Sequence, residues 1–401
     1  MLSDYRRIFS PPGTLLFCAA GFVARLPQSM TGVGIVTMLS QLGAGYRLAG
    51  SVSATQALAA SAIGPQISRL ADRHGQRAVA LPAMTATVAA IGALALCARR
   101  GTADWTLYLA AAAAGCMPSM GAFVRARWAE VHRTSARLLH AAYSLESVLD
   151  EVVYVLGPVL VITLSTRIRP EAGPLAAALL LAAGVLLFAA QRRTQPPVRL
   201  APFPARGWAP RVPGLGLLVL TQTAVGASYG SVDVVTVAFA GAHHDKALSG
   251  LLLGGYALGS GLAGAALGAI GPRGAITTRL LVSVCAMAVT SVPLLFAPGL
   301  AVLGVMLFVA GMSLAPTLIT TTELVSHLAP AARLTECITW TVSGLSVGLA
   351  LGYALAGWVV DAAGASTGYA VPCVAAALAA STVALALPRL THVCAQRHAS
   401  P

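Results

Sequence analysis

The sequence predicts an all-α integral membrane protein with twelve transmembrane helices in two pseudo-symmetric six-helix bundles. Three observations lead there. The 401 residues are 57% hydrophobic and only 10% charged, whereas soluble domains carry about 25% charged residues. Mean hydropathy is +0.78, which leaves too little polar surface to cover a globule of this size. Apolar runs of about 20 residues, the length a helix needs to cross a bilayer, recur from end to end, and the second half of the chain repeats the first.

The elements follow in order. Spans are expected at 14–40, 47–68, 79–98, 105–126, 138–165 and 173–191, then at 214–241, 247–270, 279–297, 299–323, 334–360 and 368–388. Only FAPGL (296–300) divides the ninth from the tenth. Between the sixth and seventh lies RRTQPPVRLAPFPARGWAPRVP (192–213), whose prolines cannot continue a helix. It is read as a cytoplasmic linker between an N-terminal bundle, 1–191, and a C-terminal bundle, 214–401. PSMGAFVRARWAEVHRTSARLLHAAYS (118–144) parallels PTLITTTELVSHLAPAARLTECITW (316–340), half the chain away. Each has Pro followed by Ser or Thr late in a span, a polar break, Ala-Arg-Leu, then the next span. Two duplicated six-span halves describe a secondary transporter whose substrate site lies between the repeats near the bilayer midplane.

An even number of spans puts both termini on one side. Of the 26 basic residues, nineteen fall on that side: Arg6, Arg7, Arg69, Arg73, Arg77, Arg125, Arg127, Arg133, Arg137, Arg192, Arg193, Arg199, Arg206, Arg211, Arg273, Arg279, Arg333, Arg389 and Arg397. Six fall opposite, and Arg25 sits inside a span. The positive-inside rule makes the terminal side cytoplasmic, as in a multi-pass protein of the cell membrane. The net charge of +13 is dispersed between apolar runs, which sets topology and forms no nucleic-acid patch. Seven isolated cysteines (Cys18, Cys97, Cys116, Cys285, Cys337, Cys373 and Cys394) form no CxxC or metal-ligand spacing and read as small hydrophobes. No metal or cofactor is expected. The first apolar run is long enough to span and closes on no small-residue cleavage site, so no cleavable signal peptide is expected.

The loop after the second span reads SRLADRHGQRAVAL (68–81). It resembles the signature loop of the major facilitator superfamily, roughly G-x-L-A-D-R-x-G-R-R/K. Leu70, Ala71, Asp72, Arg73, Gly75 and Arg77 match, while Ser68 stands for the first Gly and Gln76 for an Arg. The resemblance covers essentially the whole chain and implies a twelve-helix permease working by alternating access. It also implies that this loop is a conformational latch, with Asp72 near a helix end and Arg73 and Arg77 pairing acids at the cytoplasmic gate. The alternative is an ordinary turn whose arginines set topology. The corresponding stretch LGAIGPRGAITTRL (267–280) keeps Gly271, Arg273 and Gly274 but has no acid. Glu130, Glu323 and Glu336 are candidate partners at the same face. Glu323 occupies the repeat position of Arg125, so the two form either a gate across the pseudo-symmetry axis or a pair of solvated helix ends.

The fifth span carries ESVLDEVVYVLGP (146–158). Each ionised residue at a helix centre costs about 2.5–3.5 kcal/mol, so Glu146, Asp150 and Glu151 must face protein or water, find cations or stay protonated. At 100° per residue Asp150 lies about 40° from Glu146, and Glu151 about 100° further round. Tyr143, Tyr154 and Gly157 share the sector, making it the cavity side of the helix. Arg25, in GFVARLPQSM (21–30), is the one basic residue deep in a span and lies level with Asp150 and Glu151 within roughly 5 Å. In the superfamily fold the first and fifth helices are neighbours, so the resemblance implies an Arg25 pair with Asp150 or Glu151, either a static strut or a proton switch. Asp233, in the seventh span, would bind a cationic substrate, take a proton or close a polar pocket. Gln28, Gln56, Gln222, Tyr229 and Trp340 are further cavity candidates, although single polar groups in spans more often bridge helices. Gly157-Pro158 resembles the Gly-Pro of the fifth-helix motif in proton-driven drug exporters, the only two positions of that motif that match.

The expected activity is proton-coupled efflux of a small organic molecule by a monomer embedded in the lipid bilayer, with the substrate and protons as its partners. The alternative is a proton-coupled importer of a sugar, organic acid or other metabolite. A membrane enzyme would need clustered acids for Mg²⁺ or His/Glu sets at the membrane surface, a pattern that Asp150-Glu151 does not supply; a non-transporting receptor of the same fold stays open.

Overall fold

The computed structural model describes residues 7–197, 212, 214–270, 274–329 and 334–398. Residues 198–211 and 213 of the expected linker lie outside the described residues, as do Arg6, Arg273 and Arg333. The described residues contain no strand. The first half supplies α1 (Thr14–Gln41), α2 (Tyr46–His74), α3 (Gln76–Arg100), α4 (Asp104–Ala114), α5 (Met120–Val131), α6 (Ala136–Arg167) and α7 (Ala172–Ala190). The second supplies α8 (Leu215–Ala242), α9 (Leu248–Ile270), α10 (Ile276–Ser291), α11 (Leu300–Gly311), α12 (Leu314–Leu328), α13 (Leu334–Ala363) and α14 (Ala370–His398). A 3-10 turn, Val292–Phe296, extends α10.

Among the described residues nine helical stretches are long and apolar enough to cross a membrane. The other expected spans are α1, interrupted by Arg25 and Gln28, α2, rich in Ser, Thr and Gln, and the fourth, which is not one helix. It breaks at 115–119 between α4 and α5, and the tenth breaks at Met312 and Ser313 between α11 and α12. Pro118 sits in the first break, and Pro316, its counterpart in the internal repeat, lies in the first turn of α12 just after the second. Proline lacks an N–H and disfavours helix in the residue before it. Gly75 separates α2 from α3 at φ 90° and ψ 145°, a conformation that a side chain would strain, which accounts for the glycine of the signature loop.

The described residues cluster into two compact units. One is drawn from Met1–Gly43 and Leu58–Pro202, the other from Ala44–Ala57 and Phe203–Pro401. The first turns of α2 therefore belong to the second unit, a division the linker position does not anticipate. They are tied down there by Asp361, at the end of α13, whose carboxylate accepts from the backbone N–H groups of Tyr46 (3.0 Å) and Arg47 (2.7 Å). Helix N-termini leave such donors unsatisfied, and here another helix supplies the acceptor.

In the first unit α1 is the central helix, packed against α6 and α7 with Phe17, Met30, Ile35 and Met38 fully buried. In the second, α8 is central and α13 lies against it along interlocking glycines. A Cβ on Gly226 would lie 2.0 Å from the Leu345 carbonyl oxygen, and one on Gly348 would lie 1.9 Å from that of Thr223. Gly230, Gly344 and Gly352 make similar approaches. Small residues four apart let membrane helices pack backbone to backbone, and this contact fixes where Tyr353 of α13 meets α8.

Candidate functional site

In the first unit, α1, α5 and α6 bring together the charges that the sequence places in the membrane. Arg25 Nη1 lies 2.7 Å from Asp150 Oδ1, and Arg125 Nη2 lies 2.5 Å from Asp150 Oδ2. Asp150 thus bridges two guanidinium groups. Arg25 Nη2 also approaches Glu146 Oε2 to 2.5 Å, off the direction of a good hydrogen bond, so this contact is a charge pairing. Glu146 has no exposure, and its Oε1 accepts from Trp128 Nε1 (2.7 Å) and Cys18 Sγ (3.5 Å). With both acids ionised, two arginines face two carboxylates and the cluster is neutral.

Of the two partners the sequence leaves open for Arg25, Asp150 or Glu151, Asp150 is the one that pairs with it, and Glu146 joins as a second acid. The reason is angular: Glu146 and Asp150 are four residues apart and stack on one helix face, while Glu151 points away. Glu151 is half-buried and makes no ion pair or hydrogen bond among the described residues. Gly157 lets α6 touch α1: a Cβ there would lie 1.9 Å from Ser29 Oγ, which donates to the Val153 carbonyl at 2.8 Å. Gln28 and Tyr143 are exposed and Tyr154 is half-buried.

Arg125 and Glu323, the two residues of the expected gate across the halves, take partners within their own units. Arg125 is held by Asp150, and Glu323 by Arg279 at 2.6 Å, so each member of the expected Arg125–Glu323 gate has a local counter-ion. Asp72 and Arg73 are exposed, and Arg77 and Glu336 are half-buried. Arg127, which sequence reasoning used only for topology, is fully buried and stacks 3.6 Å above the Phe188 ring. It donates to Gln76 Oε1, the Gln191 carbonyl and Thr194 Oγ1, each at 3.0 Å. Gln76, the residue that departs from the signature loop, is therefore the acceptor for a buried arginine.

In the second unit Asp233 of α8 is buried, and its Oδ2 accepts from the Tyr353 hydroxyl at 2.9 Å. One turn back along the same face, Tyr229 stacks on Tyr256 of α9, with ring centroids 6.2 Å apart and planes 11° from parallel. Asp233 acts electrostatically on the Tyr256 phenol. Gln222 lies on the same stripe of α8, buried, with Oε1 unpartnered. Gln56 is buried and Trp340 largely exposed. Sequence reasoning missed Trp128, Tyr256 and Tyr353. For Tyr353 a signal was present, since it follows directly on the Gly344, Gly348, Gly352 stripe.

The comparisons agree with this architecture. The nucleoside transporter NupG superimposes with a TM-score of 0.70 at 15% identity, covering 95% of this chain and 99% of that one. A POT family transporter crystallised with a thioalcohol-conjugated peptide gives 0.70 at 12% identity, covering 95% and 97%. A bacterial metal transporter gives 0.66 at 15% identity, covering 94% and 98%. At these identities the likeness is one of fold. No curated protein sequence matches the chain. The family model of the Major Facilitator Superfamily matches residues 17–340, most of the chain and both of its halves, and the chain belongs to that superfamily of membrane transporters.

Proposed function

We propose that this transporter couples proton entry to the export of a small organic molecule by alternating access. The observation that carries the reading is the Asp150 carboxylate shared between Arg25 and Arg125. Arginine keeps its proton under all relevant conditions, whereas a carboxylate can gain one. A proton on Asp150 would leave two guanidinium groups facing the single carboxylate of Glu146. In a low-dielectric site that imbalance is costly, so proton uptake favours withdrawal of Arg125, the more exposed of the two. The two protonation states thus favour two arrangements of the same helices, which is what coupling requires. Glu151, adjacent and without a counter-ion, is the group placed to pass the proton on.

The intramembrane acids Glu146, Asp150, Glu151 and Asp233 outnumber Arg25 and Arg125, which suits neutral or cationic substrates. Import of an organic anion would need a free cation in the membrane, and Arg25 is already taken by two carboxylates. Asp72, Arg73, Arg77, Glu323, Glu336 and the Arg125 side chain serve the cytoplasmic gate in this reading, and Gln28, Gln56, Tyr143, Tyr154, Gln222, Tyr229 and Trp340 line the substrate path. The test is substrate-induced proton flux in proteoliposomes under an imposed pH gradient, screened with neutral, cationic and anionic organic solutes. Wild type should release protons inward against solute moving outward. Asp150→Asn and Glu151→Gln should lose gradient-driven flux while keeping solute counterflow. Undiminished gradient-driven flux in both variants would sink the coupling assignment.

A further inference from the structure

We infer that Asp233, Tyr229, Tyr256 and Tyr353 form a subsite for an organic ammonium group carried by the substrate. The inference deepens the transport reading and rests on it. Four observations converge. Asp233 is buried in the membrane-spanning α8, yet no Lys, Arg or His pairs with it among the described residues. Elsewhere in the described membrane-embedded clusters, Glu146 and Asp150 are matched by arginines. A buried carboxylate without a counter-ion favours an arriving cation over an anion or a neutral solute.

The second observation is orientation. Tyr353 donates to Oδ2 and pins the carboxylate, while Oδ1 makes no hydrogen bond among the described residues. Third, Tyr229 and Asp233 are four residues apart on α8 and share a face. The stacked Tyr229–Tyr256 pair therefore lies on the face of α8 that carries the carboxylate. Aromatic faces attract ammonium groups through the ring quadrupole, most strongly where water is excluded. Fourth, the three tyrosines come from α8, α9 and α13, and the glycine contact between α8 and α13 sets the backbone spacing that lets Tyr353 reach Asp233.

The chemistry fits a monovalent amine on an aromatic or aliphatic body, with the nitrogen donating to Oδ1 and its substituents against the rings of Tyr229 and Tyr256.

The experiment is equilibrium binding to the purified, detergent-solubilised protein of three near-isosteric probes: 2-phenylethylammonium, 2-phenylethanol and phenylacetate. Wild type should bind the ammonium at least tenfold more tightly than either analogue. Asp233→Asn should remove that preference, Tyr256→Leu should weaken ammonium binding severalfold, and Tyr353→Phe should weaken it while leaving the order of the probes intact. Unfolding midpoints of each variant separate loss of binding from loss of fold. Equal binding of the three probes by wild type, or an unchanged preference in a folded Asp233→Asn variant, would overturn the subsite. Proton-coupled flux of a neutral solute in liposomes alongside either result would leave the transport reading standing. Absence of any solute flux would remove that reading separately.

Discussion

Arg25 on α1 and Asp150 on α6 meet at 2.7 Å although 125 residues separate them, and the same carboxylate reaches Arg125 on α5 from its other oxygen. Glu146 completes the set from below, held by Trp128 and entirely buried. The four groups divide unequally in their expected effects. Glu146→Ala leaves the Asp150 carboxylate alone between two guanidinium groups and takes the acceptor from Trp128 Nε1, and removing one partner of a buried pair typically costs about 3–5 kcal/mol. The unfolding midpoint should therefore fall sharply. Glu151→Gln removes a half-buried carboxylate with no partner and should change stability by less than about 0.5 kcal/mol. Equal midpoints for the two variants would show that the Arg25–Glu146 contact carries no structural weight.

The glycine contact between α8 and α13 makes a second prediction. A methyl at Gly348 would sit 1.9 Å from the Thr223 carbonyl oxygen, a backbone atom that no rotamer change can move. Gly348→Ala should therefore destabilise by about 1–3 kcal/mol, the usual range for overpacking a tight interface. It should also weaken the Tyr353–Asp233 hydrogen bond by moving the helices apart. Gly255→Ala on α9 is the control, because a Cβ there meets nothing within 4 Å. Thermal unfolding of the two variants side by side reads the difference, and similar midpoints would discount the packing argument.

Much of this arrangement is legible in the sequence, and the rest fails for identifiable reasons. Depth along a helix is a matter of counting residues, so the level of Arg25 against Asp150 could be read directly. Sector arithmetic put Glu146 and Asp150 on one face but not which acid Arg25 would take beside Asp150, because that depends on the lean of α1 against α6 at Gly157 and Ser29. The Arg125–Glu323 gate is an expectation from repeat symmetry, and symmetry does not reveal the local counter-ions, Asp150 and Arg279, that the two residues have within their own units. Tyr353 and Trp128 escape the sequence reading because a hydrogen bond to an acid 120 or 18 residues away leaves no local trace. The breaks near Pro118 and Pro316 were visible as proline, but the surrounding apolar runs hid them.

Gln76 supplies a third prediction. The signature loop favours Arg at this position, yet here the side chain accepts from buried Arg127 and donates from Nε2 to the Phe123 carbonyl at 3.0 Å. Restoring the consensus with Gln76→Arg would place a second guanidinium against Arg127 and remove the acceptor that Arg127 Nε uses. Uncompensated buried charge is among the costly changes, so the variant should fold poorly and lose yield in the membrane. Gln76→Glu loses the donor to the Phe123 carbonyl but offers Arg127 a counter-ion, and should be tolerated better. Wild-type yield and unfolding midpoint for Gln76→Arg would refute this account of the departure.

The last prediction concerns pH. Lys246 lies in the turn between α8 and α9, its ammonium 5.6 Å from the Tyr46 ring centre, in a cavity of about 430 Å³ also lined by Asp361 and Gly241. Burial lowers its pKa from the ordinary lysine value, which is about 10.5. The sign follows from linkage: with the folded pKa depressed, the unfolded chain binds more protons between the two values, so stability rises with pH across that window. Below the folded pKa the full cost of burying the ammonium is present, and above the unfolded value it is gone. The unfolding midpoint of wild type should therefore climb on the alkaline side before other groups intervene. Lys246→Met, which keeps the aliphatic stem against Tyr46, should be more stable at neutral pH and should flatten the climb. Parallel pH profiles for the two proteins would show that the ammonium is solvated well enough to escape the cost.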